Sequence, residues 1–181
     1  MTRHYFSTFQ LILLAFFAAL IVVAKIAFKL PLQLPGHSGI FWMAIVIVAT
    51  GVVPRRGAAS IVGLTSGILA AFLGQGDFGA LDTLLSYTAV GAGTDLALWL
   101  LRDPSNLFVA TLAGAIGHFA KFLVKWAIAG IAGAPVGFVA LGLARSVAGY
   151  IVFGAVGGLL GGLTLLALRR AGFFAYLAEK K

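Results

Sequence analysis

The chain has 181 residues, of which 61% are hydrophobic and 10% charged, and it has no cysteine. Soluble globular domains carry about 25% charged residues, so this composition excludes an ordinary water-soluble domain. The lack of cysteine excludes disulfides, thiolate nucleophiles and cysteine-ligated metal sites. The formal net charge is +8. In a membrane chain such charge gathers at cytoplasmic helix ends, so we predict no nucleic-acid partner.

Apolar runs separated by turn residues predict six helices in a single transmembrane domain, residues 1–181. A spanning helix needs about 20 residues, so six of them use nearly the whole chain. Clusters of proline, glycine and arginine mark the ends of the runs, and Ser105 or Asn106 is the expected cap of the fifth helix. The predicted helices cover residues 8–30, 39–53, 57–74, 81–101, 106–129 and 138–168, followed by a basic cytoplasmic tail over 169–181.

The distribution of basic residues predicts the orientation. With the N-terminus inside, most of the 13 basic residues fall at cytoplasmic ends: Arg3, Arg55, Arg56, Arg102, Arg169, Arg170, Lys180 and Lys181. We therefore expect an all-α integral membrane protein of the cell (inner) membrane, with six transmembrane helices and both termini in the cytoplasm. Glycine pairs at spacing four, such as Gly63 with Gly67 and Gly154 with Gly158, predict close helix packing.

Charged residues inside the predicted spans are candidate site residues, because each costs about 2.5–3.5 kcal/mol at mid-membrane. His118, Lys121 and Lys125 lie at spacings of three and four, which places them on one face of the fifth helix. The first helix adds Lys25 and Lys29, and the sixth adds Arg145; all lie toward the predicted outer end. For the lysines, the alternative is a side chain that snorkels to the interface.

Acidic residues are fewer in the spans. Asp77 and Asp82 lie at the predicted outer end, whereas Asp95 lies in the cytoplasmic half of the fourth helix. The outer level therefore has an excess of cations, which an anionic ligand or water can satisfy. Asp95 has a structural alternative, an interaction with Arg102 or with interfacial water.

Aromatic residues lie near the same outer level and can stack on a flat ligand. Each of these candidates has an alternative to ligand contact. The tryptophans can anchor the chain at the membrane interface, His118 can be a packed residue of the bundle, and His37 can belong to a simple turn. The candidate substrate-binding residues are His37, Trp42, Asp82, Tyr87, His118, Lys121, Lys125 and Arg145. No two histidines have metal-ligand spacing, and neither a paired-carboxylate motif nor a nucleotide-binding loop is present. We predict no enzyme activity, no metal and no cofactor, and transport by this chain would need an energised partner or be passive.

The layout resembles the substrate-binding S-components of energy-coupling factor (ECF) vitamin transporters, which are six-helix proteins of about this length. The motifs that carry the resemblance are AFFAA at 15–19, the proline-containing loop after the first helix, RRGAA at 55–59, FLGQ at 72–75 and GAGTD at 91–95. Their order is most similar to that of the S-components for thiamine precursors.

The resemblance implies a substrate-binding subunit of an ECF-type ABC importer, which captures a vitamin-like small molecule outside. It further implies delivery through a transmembrane coupling protein and two ATPase subunits, with Ala15 and Ala19 at the contact with the coupling protein. The cations independently predict a ligand with a carboxylate or phosphate and an aromatic ring. A thiamine-type ligand is uncharged or cationic, so the charge of the ligand stays open.

Two other kinds of protein fit the same sequence. A non-transport membrane scaffold or assembly protein would use the intramembrane charges for internal ion pairs. A small self-sufficient carrier or channel would move its solute without ATPases.

Overall fold

The computed structural model describes residues 5–27, 34–75, 79–133 and 136–174, with the backbone alone for 136–141. These residues form helices and connections without a β-strand. In chain order the helices are α1 Thr8–Ala27, α2 Gly39–Val52, α3 Ala58–Phe72, α4 Ala80–Leu101, α5 Leu107–Ile131 and α6 Val136–Arg170.

Six helices, with no strand among the described residues, confirm the predicted all-α fold class, but not six spans. Four helices of the described part, α1, α4, α5 and α6, are long and apolar enough to cross a membrane. The other two, α2 and α3, are shorter apolar helices of 14 and 15 residues. The predicted bounds agree within a few residues, except that residues 28–30 of the first helix and 175–181 of the tail lie outside the described residues.

Local chemistry explains where several helices begin. The Asn106 side chain accepts hydrogen bonds from the backbone N–H groups of Phe108 and Val109, at 3.0 and 3.3 Å, which confirms the predicted cap of α5. Gly57 precedes α3 with φ +86°, a conformation that glycine adopts without the Cβ clash of other residues. Pro54 lies between α2 and α3, where a missing N–H costs no helical hydrogen bond.

The helices form an arc with α2 inside it. Along the arc α1 packs on α3, α3 on α4, α4 on α5 and α5 on α6, while α2 packs against α1, α3, α5 and α6. Its buried residues, including Met43, Val46 and Ile47, lie at the centre of the bundle. A helix surrounded in this way is apolar on nearly every side.

Glycine brings neighbouring helices into backbone contact, as the spacing-four pairs predicted. A Cβ on Gly63 of α3 would lie 3.1 Å from the Cα of Gly91 on α4. Between α5 and α6, a Cβ on Gly114 would lie 2.7 Å from the Cα of Gly158. Close backbone approach of this kind supplies the van der Waals packing that holds helices together in lipid.

The alternating helix directions give the bundle two distinct ends. At one, which we call the lysine end, Lys25 near the end of α1 donates to the carbonyl of Gln75 after α3, at 3.0 Å. At the other, the arginine end, Arg169 of α6 pairs with Asp103 at 3.6 Å, and Arg55 lies over the Tyr5 ring at 5.8 Å. Arg55, Arg56 and Arg102 line one cleft at this end. Arg170 follows Arg169 in α6 and is exposed.

The outward faces of the helices are strongly apolar. Phe9, Ile12 and Phe16 on α1 are each more than half exposed, and similar side chains cover α4 and α5. A water-soluble monomer rarely exposes contiguous apolar area of this extent. The surface therefore suits a surrounding of lipid, in agreement with the composition.

Candidate ligand-binding site

Five helices bring lysines and aromatic rings together near the lysine end of the bundle. We call this group the cation–aromatic cluster; its members are Lys25, Trp42, Tyr87, His118, Lys121 and Tyr150. The Lys121 ammonium lies 4.3 Å from the centre of the Trp42 ring and 5.4 Å from that of Tyr87. Lys25 lies 5.3 Å from the same Tyr87 ring. Tyr87 therefore has two cations within the range of cation–π attraction.

The rings of the cluster contact one another in sequence. Trp42 lies 5.0 Å from Tyr87 and meets His118 edge-on at 5.6 Å, and His118 lies 4.7 Å from Tyr150. Trp42, Tyr87 and His118 are nearly inaccessible. Tilted and edge-on ring pairs at these distances are favourable. The rings therefore form a continuous wall, buried at Trp42, Tyr87 and His118 and half-buried at Tyr150.

His118 has a defined donor and an open acceptor. Its Nδ1 lies 2.9 Å from the carbonyl oxygen of Tyr150. Because a carbonyl only accepts, Nδ1 must carry the proton, and in the neutral imidazole Nε2 then holds a lone pair. Neither this Nε2 nor the indole N–H of Trp42 has a hydrogen-bond partner among the described residues. The cluster thus presents one buried acceptor and one buried donor side by side.

Lys121 is a charged side chain that is only 7% exposed. Burial of an ammonium in an apolar bundle is costly unless other groups replace its water. Two ring faces do so in part, since each directs its negative quadrupole at the charge. For Lys121 the structure therefore favours a buried position in the cluster over a side chain that snorkels to the interface.

Asp82 and Lys125 form a second polar group beside the cluster. The Lys125 ammonium lies 3.8 Å from a carboxylate oxygen of Asp82, and the Ser86 hydroxyl donates to the same carboxylate at 3.0 Å. Asp82 is 2% exposed, whereas Lys125 is partly exposed. Three lysines and one aspartate of the described residues thus lie in this region, which keeps it cationic.

The described part of the connection between α1 and α2, residues 34–38, covers the cluster from the lysine end. Gly36 has φ +80°, and a Cβ there would stand 3.0 Å from the Cα of Tyr150 on α6. His37, in the same turn, shares a 2.7 Å hydrogen bond between its Nδ1 and the Leu34 carbonyl. This hydrogen bond is what the turn alternative for His37 predicts, and the turn itself rests directly on the cluster.

A small pocket remains between this connection and the cluster. Its walls include Lys25, Ser38, Trp42, Tyr87 and Lys121, and its free volume is about 10 Å³. That volume holds about one water molecule, whereas pockets for drug-sized ligands measure about 300–1,000 Å³. A ring-bearing ligand would enter only after side chains or the α1–α2 connection move.

The structure brings together most of the predicted site residues. Trp42, Tyr87, His118 and Lys121 belong to the cluster, Asp82 and Lys125 pair beside it, and His37 lies in its cover. Arg145 lies on α6 with its side chain exposed. Lys29 and Asp77 lie outside the described residues.

Two members of the cluster, Lys25 and Tyr150, are absent from the predicted substrate-binding residues, although Lys25 was named among the charged candidates. Lys25 is a charge within an apolar helix, and that signal alone justified its inclusion. Tyr150 reaches the cluster because Gly149 and Gly154 let α6 approach its neighbours closely, which no local pattern around the tyrosine shows. Within the described part, His, Asp and Glu form no group of three or more that could hold a metal ion.

Ala15 and Ala19, the predicted partner-binding pair, lie on the outward side of α1. Both are exposed, whereas the intervening Ala18 is fully buried, as is Leu14. The inner face of α1 packs in the bundle, so this pair does not serve internal packing. A partner helix can approach α1 closely at these two small residues.

Asp95 caps a neighbouring helix. Its carboxylate accepts from the backbone N–H groups of Ala59 and Ser60, at 3.3 and 2.7 Å, and from the Ser60 hydroxyl at 2.6 Å. These donors belong to the first turn of α3, whose N–H groups have no partner within the helix. The structural alternative for Asp95 is supported, with α3 as its partner in place of Arg102 or water.

Comparison of the chain with protein-family models, with curated proteins and with solved structures gives no match. Its function is therefore inferred from its residues and their geometry.

Proposed function

We propose that this chain is the substrate-binding S-component of an ECF-type ABC importer, with six membrane-embedded helices and the arginine end in the cytoplasm. It captures a vitamin or related micronutrient at the lysine end. A coupling protein and two ATPases then complete the import. The proposal rests on the resemblance of the motifs and on the chemistry of the cation–aromatic cluster.

The observation that carries the proposal is the pair of buried polar atoms without partners, His118 Nε2 and Trp42 Nε1, beside the Lys121 ammonium. A buried donor or acceptor left unpaired costs about 1–3 kcal/mol. A ligand that satisfies both atoms recovers this cost on binding. A scaffold gains nothing from keeping them unpaired, whereas a binding protein uses them for selectivity.

The cluster favours a flat ligand with its own donor and acceptor groups. Trp42 and Tyr87 offer ring faces, His118 offers an acceptor, and the lysines favour electron-rich or anionic groups. A carboxylate or phosphate on the ligand would meet Lys25 and Lys121. A neutral ring of the thiamine-precursor type would stack on the same aromatic rings. Its polar contacts would be with the Trp42 indole N–H and His118 Nε2, without the lysines.

The exposed Ala15–Ala19 pair supports a coupling protein as partner. It lies on the outward face of α1, while the ligand-facing Lys25 lies nearer the end of the same helix. One helix can therefore contact the partner with one face and the ligand with another. Substituting leucine at both alanines should lower transport while leaving ligand binding unchanged.

Titration of the purified protein with a panel of vitamins and their precursors, followed by tryptophan fluorescence, tests the proposal. A ligand that stacks in the cluster should quench Trp42 saturably, and Trp42→Phe should remove the response. Trp99→Phe, at the arginine end, is the matched control and should retain it. Quenching that persists in Trp42→Phe and disappears in Trp99→Phe would contradict the proposed site.

One observation favours a second candidate, the membrane scaffold. Protein side chains leave almost no free volume in the pocket at the cluster, and Lys125 is already paired with Asp82. In a scaffold these contacts would be the final arrangement, with no ligand to come. Replacing Lys121 by methionine, which keeps the length of the side chain, should then leave or raise the melting temperature without changing any ligand response.

A further inference from the structure

A wide cleft opens at the arginine end, on the opposite side of the molecule from the cation–aromatic cluster. It lies between the α2–α3 turn and the end of α4, and its volume is about 480 Å³. Ligand pockets measure about 300–1,000 Å³, so the cleft has room for a small molecule or a lipid headgroup. Its walls include Arg55, Arg56, Asp95, Trp99 and Arg102.

The three arginines of the cleft have no carboxylate partner in the described part of the chain. The ion pairs found there join Lys125 to Asp82 and Arg169 to Asp103. Asp95 also lines the cleft, but both of its oxygens already accept hydrogen bonds from the first turn of α3. Three arginines therefore line the cleft against one carboxylate that is already hydrogen-bonded, and the Arg55 guanidinium also lies over the Tyr5 ring at 5.8 Å.

Arg102 has an unusual backbone conformation at the rim of the cleft. Its φ and ψ are 75° and −62°, and the N–H of Asp103 donates to the carbonyl of Leu101 at 3.2 Å, which defines a γ-turn. Arg102 is the only residue other than glycine with positive φ in the described ranges. Glycine would adopt this turn with less strain, so an arginine at this position carries a conformational cost.

We propose that the arginine-lined cleft binds the phosphate group of an anionic phospholipid. Guanidinium groups match phosphate oxygens in shape and charge and bind them through paired hydrogen bonds. In the proposed orientation, on which this inference rests, the cleft lies at the cytoplasmic ends of the apolar helices, at the level of the lipid headgroups. Leu98 and Trp99 in its wall provide apolar contact for the glycerol and upper acyl region. Basic pockets between helices at the cytoplasmic side bind anionic headgroups by the same chemistry.

Native mass spectrometry of the full chain, released from vesicles of equal phosphatidylglycerol and phosphatidylcholine, tests this inference. The wild-type protein should retain phosphatidylglycerol preferentially. Arg56→Gln should reduce the preference about fivefold, and removal of all three arginines should reduce it further by a similar factor for each. Arg170→Gln, an exposed arginine at the same end but outside the cleft, is the matched control and should keep it.

The variant Arg102→Gly distinguishes a role of Arg102 in lipid binding from a role in stability. Glycine relieves the strained turn, so the melting temperature in detergent without added lipid should stay the same or rise, while the phosphatidylglycerol preference falls. Loss of stability together with loss of the preference would make Arg102 a structural residue and overturn its role in binding.

Two outcomes would overturn the lipid assignment itself. An undiminished preference in the triple variant would place the anionic lipid elsewhere on the molecule. Stabilisation by inorganic phosphate alone, abolished by Arg56→Gln and accompanied by no lipid preference, would assign the cleft to a soluble phosphate compound.

Discussion

At the scale of single residues, Lys121 shows how this bundle accommodates a charge. It lies one helical turn from His118 on α5 and directs its ammonium at the face of Trp42, 4.3 Å from the ring centre. The sequence spacing placed His118 and Lys121 on one face. It could not show that aromatic rings from α2 and α4 meet that face, because those contacts depend on packing between distant segments.

Gly39→Ala tests how tightly the cluster is packed. A Cβ at position 39, the first residue of α2, would collide with the His118 ring, whose Nε2 would lie 2.8 Å away. Forcing atoms into a packed core costs about 1–3 kcal/mol, so thermal unfolding in detergent should shift to lower temperature. Gly130→Ala, where an added Cβ meets nothing within 4 Å, is the control and should be neutral or slightly stabilising. Equal stability of Gly39→Ala and wild type would contradict the packing described for His118.

At the scale of helices, the ends were more predictable than the contacts between them. Asn106 was a predictable cap, because its side chain accepts from the backbone N–H groups two and three residues after it. Asp95 was not predictable as a cap, because the α3 N–H groups that it satisfies lie some 35 residues away in sequence. Helix caps supplied from another helix leave no local signature.

Asp95→Ala should destabilise the start of α3. Two backbone N–H groups lose their acceptor, and unpaired donors of this kind cost about 1–3 kcal/mol each when they stay away from water. Hydrogen exchange should accelerate at Ala59 and Ser60. Asp103→Ala removes only an exposed ion pair with Arg169, worth less than about 1 kcal/mol, and serves as the control. Unchanged exchange at the start of α3 would show that the cap is not formed.

Gly158→Ala should separate α5 from α6. The added Cβ would lie 3.0 Å from the backbone carbon of Ala110 and 3.1 Å from the Cα of Gly114. Because the obstacle is backbone, one helix must move, and we expect a loss of about 1–3 kcal/mol in thermal unfolding. Gly142→Ala on the same helix meets nothing within 4 Å and should leave the melting temperature unchanged. Similar shifts for both variants would argue against close packing at Gly158.

At the scale of the whole molecule, composition and hydropathy were sufficient to predict an all-helical chain with long apolar helices. The number of helices and most bounds followed from proline, glycine and arginine positions. The arc of five helices around α2 did not follow, because helix order in a bundle depends on which small residues meet which backbone. The small volume of the pocket at the cation–aromatic cluster was equally unpredictable, since it depends on where Ser38 and the side chains of four helices meet.

The orientation in the membrane can be measured on single cysteines, since the chain has none of its own. Ala132 and Ala171 are both exposed and lie at the lysine and arginine ends respectively. With the arginine end in the cytoplasm, an impermeant maleimide should label Ala132→Cys in intact cells and Ala171→Cys only after permeabilisation. The reverse pattern would place the lysine end inside and contradict capture of a ligand from outside.

The central claim, that the cation–aromatic cluster binds a small molecule, is tested most directly by identifying a ligand that co-purifies with the protein. Native mass spectrometry of the detergent-purified chain should show a stoichiometric micronutrient in the wild-type protein. The same species should be absent from Lys121→Met and retained in Arg170→Gln. A spectrum without any bound small molecule, together with no thermal stabilisation by a vitamin panel, would contradict the claim and make the cluster a structural element of a scaffold.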